Sequence, residues 1–148
     1  MLENRTSNAI PAGKASADLQ ILDRLAPYAH WSLRIALASV FLYHGLTKFP
    51  NLGGMAAMMG LPVAILTLVA ILEAGGGALV LIGGVTNSLI TRLGAVMLIP
   101  PMLGAIAMVH WPQWAFVASD THPMGGMEFQ VTLVLVSLYL LIKGNNVK

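Results

Sequence analysis

Histidine, lysine and glutamate recur here where the sequence is otherwise oily. The stretch SVFLYHGLTKF, residues 39–49, carries His44 and Lys48 four positions apart. That spacing sets both on one face of a helix. His110 closes a second apolar run and Glu128 opens a third. Between them, the loop VHWPQWAFVASDTHPMGGMEF supplies Trp111, Trp114 and His122 as an aromatic lid. Imidazole, ammonium and carboxylate together can hydrogen-bond a quinone carbonyl and move a proton, histidine being the natural carrier near neutral pH. The expectation is a ligand-binding polar pocket of His44, Lys48, His110, Glu128 and Trp111, with no catalytic residue assigned.

A second polar set lies deeper along the chain. Glu73 falls about 11 residues after Pro62, roughly 16 Å along a helix axis and close to the middle of a membrane-length segment. Arg34 and Arg92 each stand about a turn inside the other end of their own apolar runs. An ionisable group inside a span costs several kcal/mol unless it is paired or hydrated. A guanidinium fork is a natural partner for a carboxylate, so Arg34, Glu73 and Arg92 are expected to form structural ion pairs tying three helices together. The alternative for both sets is plain interhelical hydrogen bonding without a ligand.

These placements need helices in lipid. The chain has 148 residues, 57% hydrophobic and only 9% charged, with a mean hydropathy of +0.77. A soluble fold with so little charge would expose large apolar patches. The expected architecture is all-α: a bundle of four transmembrane helices with both termini cytoplasmic. The spans run from about Tyr28 to Phe49, Pro62 to Ile82, Ser88 to His110 and Met127 to Ile142, near the roughly 20 residues a bilayer requires. PNLGG and GGVTN supply turns between them. Arg5, Lys14, Arg24, Arg92, Lys143 and Lys148 gather on one side and Lys48 alone lies near the other, which orients the bundle by the positive-inside tendency. Residues 28–144 form the membrane domain. Residues 1–27 are a polar tail without signal-peptide organisation. A surface helix capped by Ser16, with Leu19, Leu22 and Leu25 on one side, is one reading of that tail; disorder is the other.

Several functions fall away. The net charge of +2 comes from scattered basic residues with no basic helix face, so nucleic acid is not an expected partner. The chain has no cysteine, which removes thiolate chemistry and covalent haem attachment. Haem held by His44 and His110 is disfavoured because His44 should lie deeper. A zinc or iron site from His44, His110 and Glu128 has too few ligands to be favoured. No metal is assigned, and the methionines near the loops read as packing.

The ordered set of HGLTK, EAGGGALVLIGG, TRLGAVML and GGMEF resembles the DoxX family of small four-helix bacterial membrane proteins, from about Leu33 to Gly144. The resemblance carries Arg34, His44, Gly45, Lys48, Glu73, Arg92 and Glu128 over as recurring polar positions. His110 and the Gly125–Gly126 pair also fit. It implies a multi-pass protein of the bacterial inner membrane, among lipids and other membrane subunits. It also implies redox work of the kind done by thiosulfate:quinone oxidoreductase or by oxidative-stress complexes. The ending IKGNNVK departs from the Gly-rich segment and Ser/Asp pair of many relatives. The function expected is an accessory subunit of a redox-linked complex in contact with quinone. A purely structural packing subunit and a small-solute or proton pathway stand as alternatives, and an independent enzyme is not expected.

Overall fold

A computed structural model describes residues 20–146; Ser16 and Leu19, proposed for the surface helix, lie outside them, as do Arg5, Lys14 and Lys148. Among the described residues the structure is helical, without strands. Its principal helices are α1 (His30–Lys48), α2 (Leu52–Met59), α3 (Val63–Val85), α4 (Ser88–Ala105) and α5 (Glu128–Lys143). α4 runs on through a wide π-helical turn, Ile106–His110, closed by the Trp111 N–H donating to Ile106 O at 2.9 Å.

Local chemistry sets the boundaries. Asn87 caps α4 by accepting the Ile90 N–H at 3.1 Å, and Asn51 caps α2 through the Gly54 N–H at 3.2 Å, as short polar side chains do at helix starts. α2 ends on Gly60 at φ 64°, a left-handed conformation that glycine adopts without strain. The segment expected as a turn is therefore a short helix. Its glycines and methionines imitate a loop in composition, while the Asn51 cap starts it.

Two helices are long and apolar enough to cross a membrane by length and composition: Val63–Val85, at a hydropathy of 2.3, and Ser88–His110, at 1.8. They form the central antiparallel pair, with α1 packed on α3 and α5 on α4. The shared core joins Leu37 and Phe41 of α1, Val80 of α3, Ala95, Leu98 and Met102 of α4, and Leu133 and Leu140 of α5. Pro100 and Pro101 sit inside α4 without ending it. Their missing N–H groups leave the carbonyls one turn earlier without ladder partners.

Glycine fixes the registers. A Cβ on Gly94 would meet Val80 N at 2.8 Å and Gly76 O at 2.9 Å, so α4 crosses α3 backbone to backbone there. Gly45 of α1 abuts Ala70 and Ala74 of α3 in the same way, and Gly77 lies against Leu42. Small residues at such crossings let helix backbones approach closely. Gly94→Val is expected to cost about 1–3 kcal/mol by overpacking. Gly104→Ala, which would meet nothing within 4 Å, should stabilise by about 0.5–1 kcal/mol through helix propensity. Unfolding midpoints on titrating SDS into detergent-solubilised protein check both.

Candidate functional site

Arg34 is wholly buried and spends every donor it has. Nε donates to His30 Nδ1 at 2.8 Å. Nη1 donates to Val80 O at 2.7 Å and Thr91 Oγ1 at 2.8 Å. Nη2 donates to Gly144 O at 3.1 Å and Asn145 Oδ1 at 2.8 Å. Asn145 extends the knot by donating from Nδ2 to Gly83 O at 2.7 Å and from its backbone to Ser88 Oγ at 3.0 Å. Val80 and Gly83 lie near the end of α3, and Gly144 caps α5. The guanidinium thus sits where two helices point the negative ends of their dipoles. That field and five oxygen or nitrogen acceptors take the place of a carboxylate.

The expected inner ion pairs are corrected by this geometry. Glu73 pairs with Lys48, not with Arg34 or Arg92. Arg92 donates instead to Ile142 O at 3.2 Å, tying α4 to the end of α5. The reason is stagger. Gly45 lies beside Ala70 and Ala74, so the last turn of α1 reaches only the middle of α3. Glu73 stands ten residues after Val63, roughly 15 Å inside the start of α3. Lys48 therefore lies at the depth of Glu73 rather than at the boundary. Its ammonium also donates to His44 O at 2.9 Å, closing the last turn of α1 over the pair. The side chains of Lys48 and Glu73 are only 11% and 6% exposed.

His44 itself faces outward. Its ring stands edge-on to Tyr43, with centroids 5.5 Å apart. Among the described residues no side chain or backbone group bonds to its ring nitrogens. Along the same outward side of α1 run Ser32, Ser39, Tyr43 and Thr47, all exposed. Ile35 and Leu46 are exposed among them, and Ser39 and Thr47 return their hydroxyls to carbonyls of their own helix, so the unbonded imidazole of His44 is the costly group against hydrocarbon.

The outer set expected as one pocket divides in two. His110 lies at the level of the first turn of α3, because Gly94 faces Val80 and the two helices run antiparallel. His44 lies at the level of Ala74, because its neighbour Gly45 abuts that residue, about ten residues or roughly 15 Å deeper. His110 is buried at 6% exposure and both its ring nitrogens are engaged. Nδ1 meets Gly125 O at 2.9 Å, and Nε2 meets the Gln130 side-chain nitrogen at 2.8 Å. The carbonyl can only accept, so Nδ1 carries the proton and Nε2 accepts from the amide. His110 is thus a strut between α4, the following loop and α5.

That loop is built on its own backbone. Gly126, Met127 and Glu128 donate their N–H groups to Ala115 O, Gln113 O and Trp114 O at 2.8, 2.9 and 3.0 Å. Trp111 is 64% exposed, and His122 Nε2 lies 3.1 Å from its carbonyl. The tryptophans face outward and do not cover His44. Glu128 is exposed and accepts the Phe116 N–H at 3.1 Å. Among the described residues no three histidine, aspartate or glutamate side chains gather as a metal ion would require.

Sequence reasoning missed the neutral half of the Arg34 knot. His30 was visible one turn before Arg34, at a spacing that faces it. Asn145 followed the Gly144 helix stop. Neither is a carboxylate, the partner that a buried guanidinium ordinarily calls for.

Two central helices long and apolar enough to cross a membrane, a buried guanidinium and a buried lysine–glutamate pair fit a small helical membrane protein. The DoxX family model matches residues 30–111, and the chain belongs to the DoxX family. It is 31% identical over 116 residues to "Putative oxidoreductase CatD" of Bacillus subtilis (strain 168), an alignment covering 76% of this chain and 77% of that protein. No solved structure matches the chain.

Proposed function

We propose that this protein is an integral accessory subunit of a redox-linked complex in the bacterial inner membrane, docking to a partner subunit through the outward face of α1. In this reading α1 and α5 cross the membrane beside α3 and α4. Both termini are then cytoplasmic, as the distribution of Lys and Arg favours. The observation that carries the reading is the exposed His44, with Tyr43 and Thr47 beside it, at the level of Ala74 in mid-α3. Polar groups at that depth are costly against lipid and useful against another helix. The family's association with membrane redox work and the oxidoreductase name of the relative support the setting. With no cysteine in this chain, any thiol step belongs to a partner.

Photo-crosslinking in native membranes tests the docking. Benzoylphenylalanine in place of Tyr43 is expected to trap one discrete partner. The same group in place of Leu135, 61% exposed on α5, should label lipid. Lipid labelling at both positions would sink the proposal.

A second reading follows from the ring nitrogens of His44. Lys48 is committed to Glu73 and His110 to Gly125 and Gln130, so His44 is the histidine of the expected pocket left to meet a quinone carbonyl. Quinone retained on gentle purification is expected to fall at least several-fold in His44→Ala. Equal retention would restrict the role to packing.

A further inference from the structure

The His110 end of the bundle holds a feature that the proposed docking face does not use. Between the loop and α5 lies an open depression of about 430 Å³ lined by Phe116, Glu128, Phe129 and Thr132. Phe116 and Phe129 meet edge to face, with ring centroids 5.9 Å apart and planes at 65°, and so form an apolar corner. Glu128, the first residue of α5, is steered into this corner by the Phe116 N–H on its Oε2. Its other carboxylate oxygen accepts from no described residue. No ion pair to Glu128 is formed among the described residues.

We propose that this depression binds an organic ammonium group. A carboxylate beside an aromatic corner attracts positive charge twice, through its own charge and through the negative face of a ring. A hard metal ion needs several oxygen ligands, and among the described residues Glu128 belongs to no group of three or more acidic or histidine side chains. An anion is repelled. A neutral apolar ligand would strip water from the carboxylate and return nothing for it. An alkylammonium satisfies both halves of the site: nitrogen against Glu128, methyl or methylene groups against Phe116 and Phe129, and Thr132 at the wall. The group can come from a phospholipid bearing an ethanolamine head or from a free amine, since the ammonium chemistry is the same. Trp111 and Trp114, 64% and 55% exposed on the same loop, suit the headgroup zone where tryptophans concentrate.

The test uses the full chain in nanodiscs of phosphatidylglycerol alone, titrated with benzyltrimethylammonium and followed by saturation-transfer NMR. Saturable binding is expected, weakened at least tenfold in Glu128→Gln and several-fold in Phe129→Leu. The glutamine oxygen can still accept the Phe116 N–H, so the first variant removes charge and not the loop's anchor. A parallel experiment identifies the source. In mixed phosphatidylethanolamine and phosphatidylglycerol, native mass spectrometry should find ethanolamine lipid retained by the parent protein and lost from Glu128→Gln if the ligand is a headgroup. Binding of the probe without that enrichment assigns the site to free amines. Absence of saturable probe binding together with absence of ethanolamine enrichment overturns the proposal, as does equal binding by Glu128→Gln. Neither result bears on the α1 docking face, which lies on another helix.

Discussion

Arg34→Met is expected to destabilise the protein by about 3–5 kcal/mol, among the largest losses any single substitution here should produce. Methionine keeps the bulk and the apolar stem but removes five hydrogen bonds at once. A hydrogen bond to a charged group contributes about 1.5–3 kcal/mol, and each buried partner left behind has its own desolvation cost. Asn145 and Thr91 retain each other, with Thr91 Oγ1 donating to Asn145 Oδ1 at 2.7 Å, so the loss is less than five bonds taken separately. Gly144 O would still lose a side-chain donor. Arg34→Lys should recover only part of the loss, since an ammonium offers three donors from one point and cannot span five acceptors. SDS titration of the purified protein measures both variants. An Arg34→Met midpoint within about 1 kcal/mol of the parent would mean that the two helix ends hold together without the guanidinium.

How much of this was legible beforehand can be judged residue by residue. Arg34 and Glu73 stood out because an ionisable group in an apolar run must be answered somewhere, and both are indeed buried and bonded. Who answers them was not legible. Reading each span separately places every helix end in one plane, which puts Lys48 at the boundary and Glu73 alone at the centre. The crossing of Gly45 on Ala74 slides α1 along α3 and brings the two together. Gly45 was visible; the residue facing it was not, since pairing across helices has no local signature. The same stagger separates His44 from His110. α2 was hidden for a different reason, because PNLGG carries turn residues that here include a helix cap. The Gly75–Gly77 triplet works on two sides, Gly76 against Leu98 and Gly77 against Leu42.

The Lys48–Glu73 pair should reveal itself by a marked failure of additivity. Glu73→Leu leaves an ammonium facing Glu73's former place, and Lys48→Met leaves a carboxylate with no cation near it. Removing one member of a buried pair costs about 3–5 kcal/mol, whereas replacing both by apolar groups of similar size is often neutral. The double variant is therefore expected to be more stable than either single variant. The two single losses should also differ. Lys48 is the last residue of α1 and has a long stem, so its orphaned ammonium can settle on the His44 carbonyl it already holds. Glu73 is short and sits in mid-α3, with no such escape. Lys48→Met should thus be the more damaging change, and it also frees the His44 carbonyl that Lys48 now holds. Midpoints from the same SDS titration complete a double-mutant cycle. Losses that simply add would show the two charges to be independently solvated. The pair would then be incidental to the packing of α1, and the outward presentation of His44 would need another support.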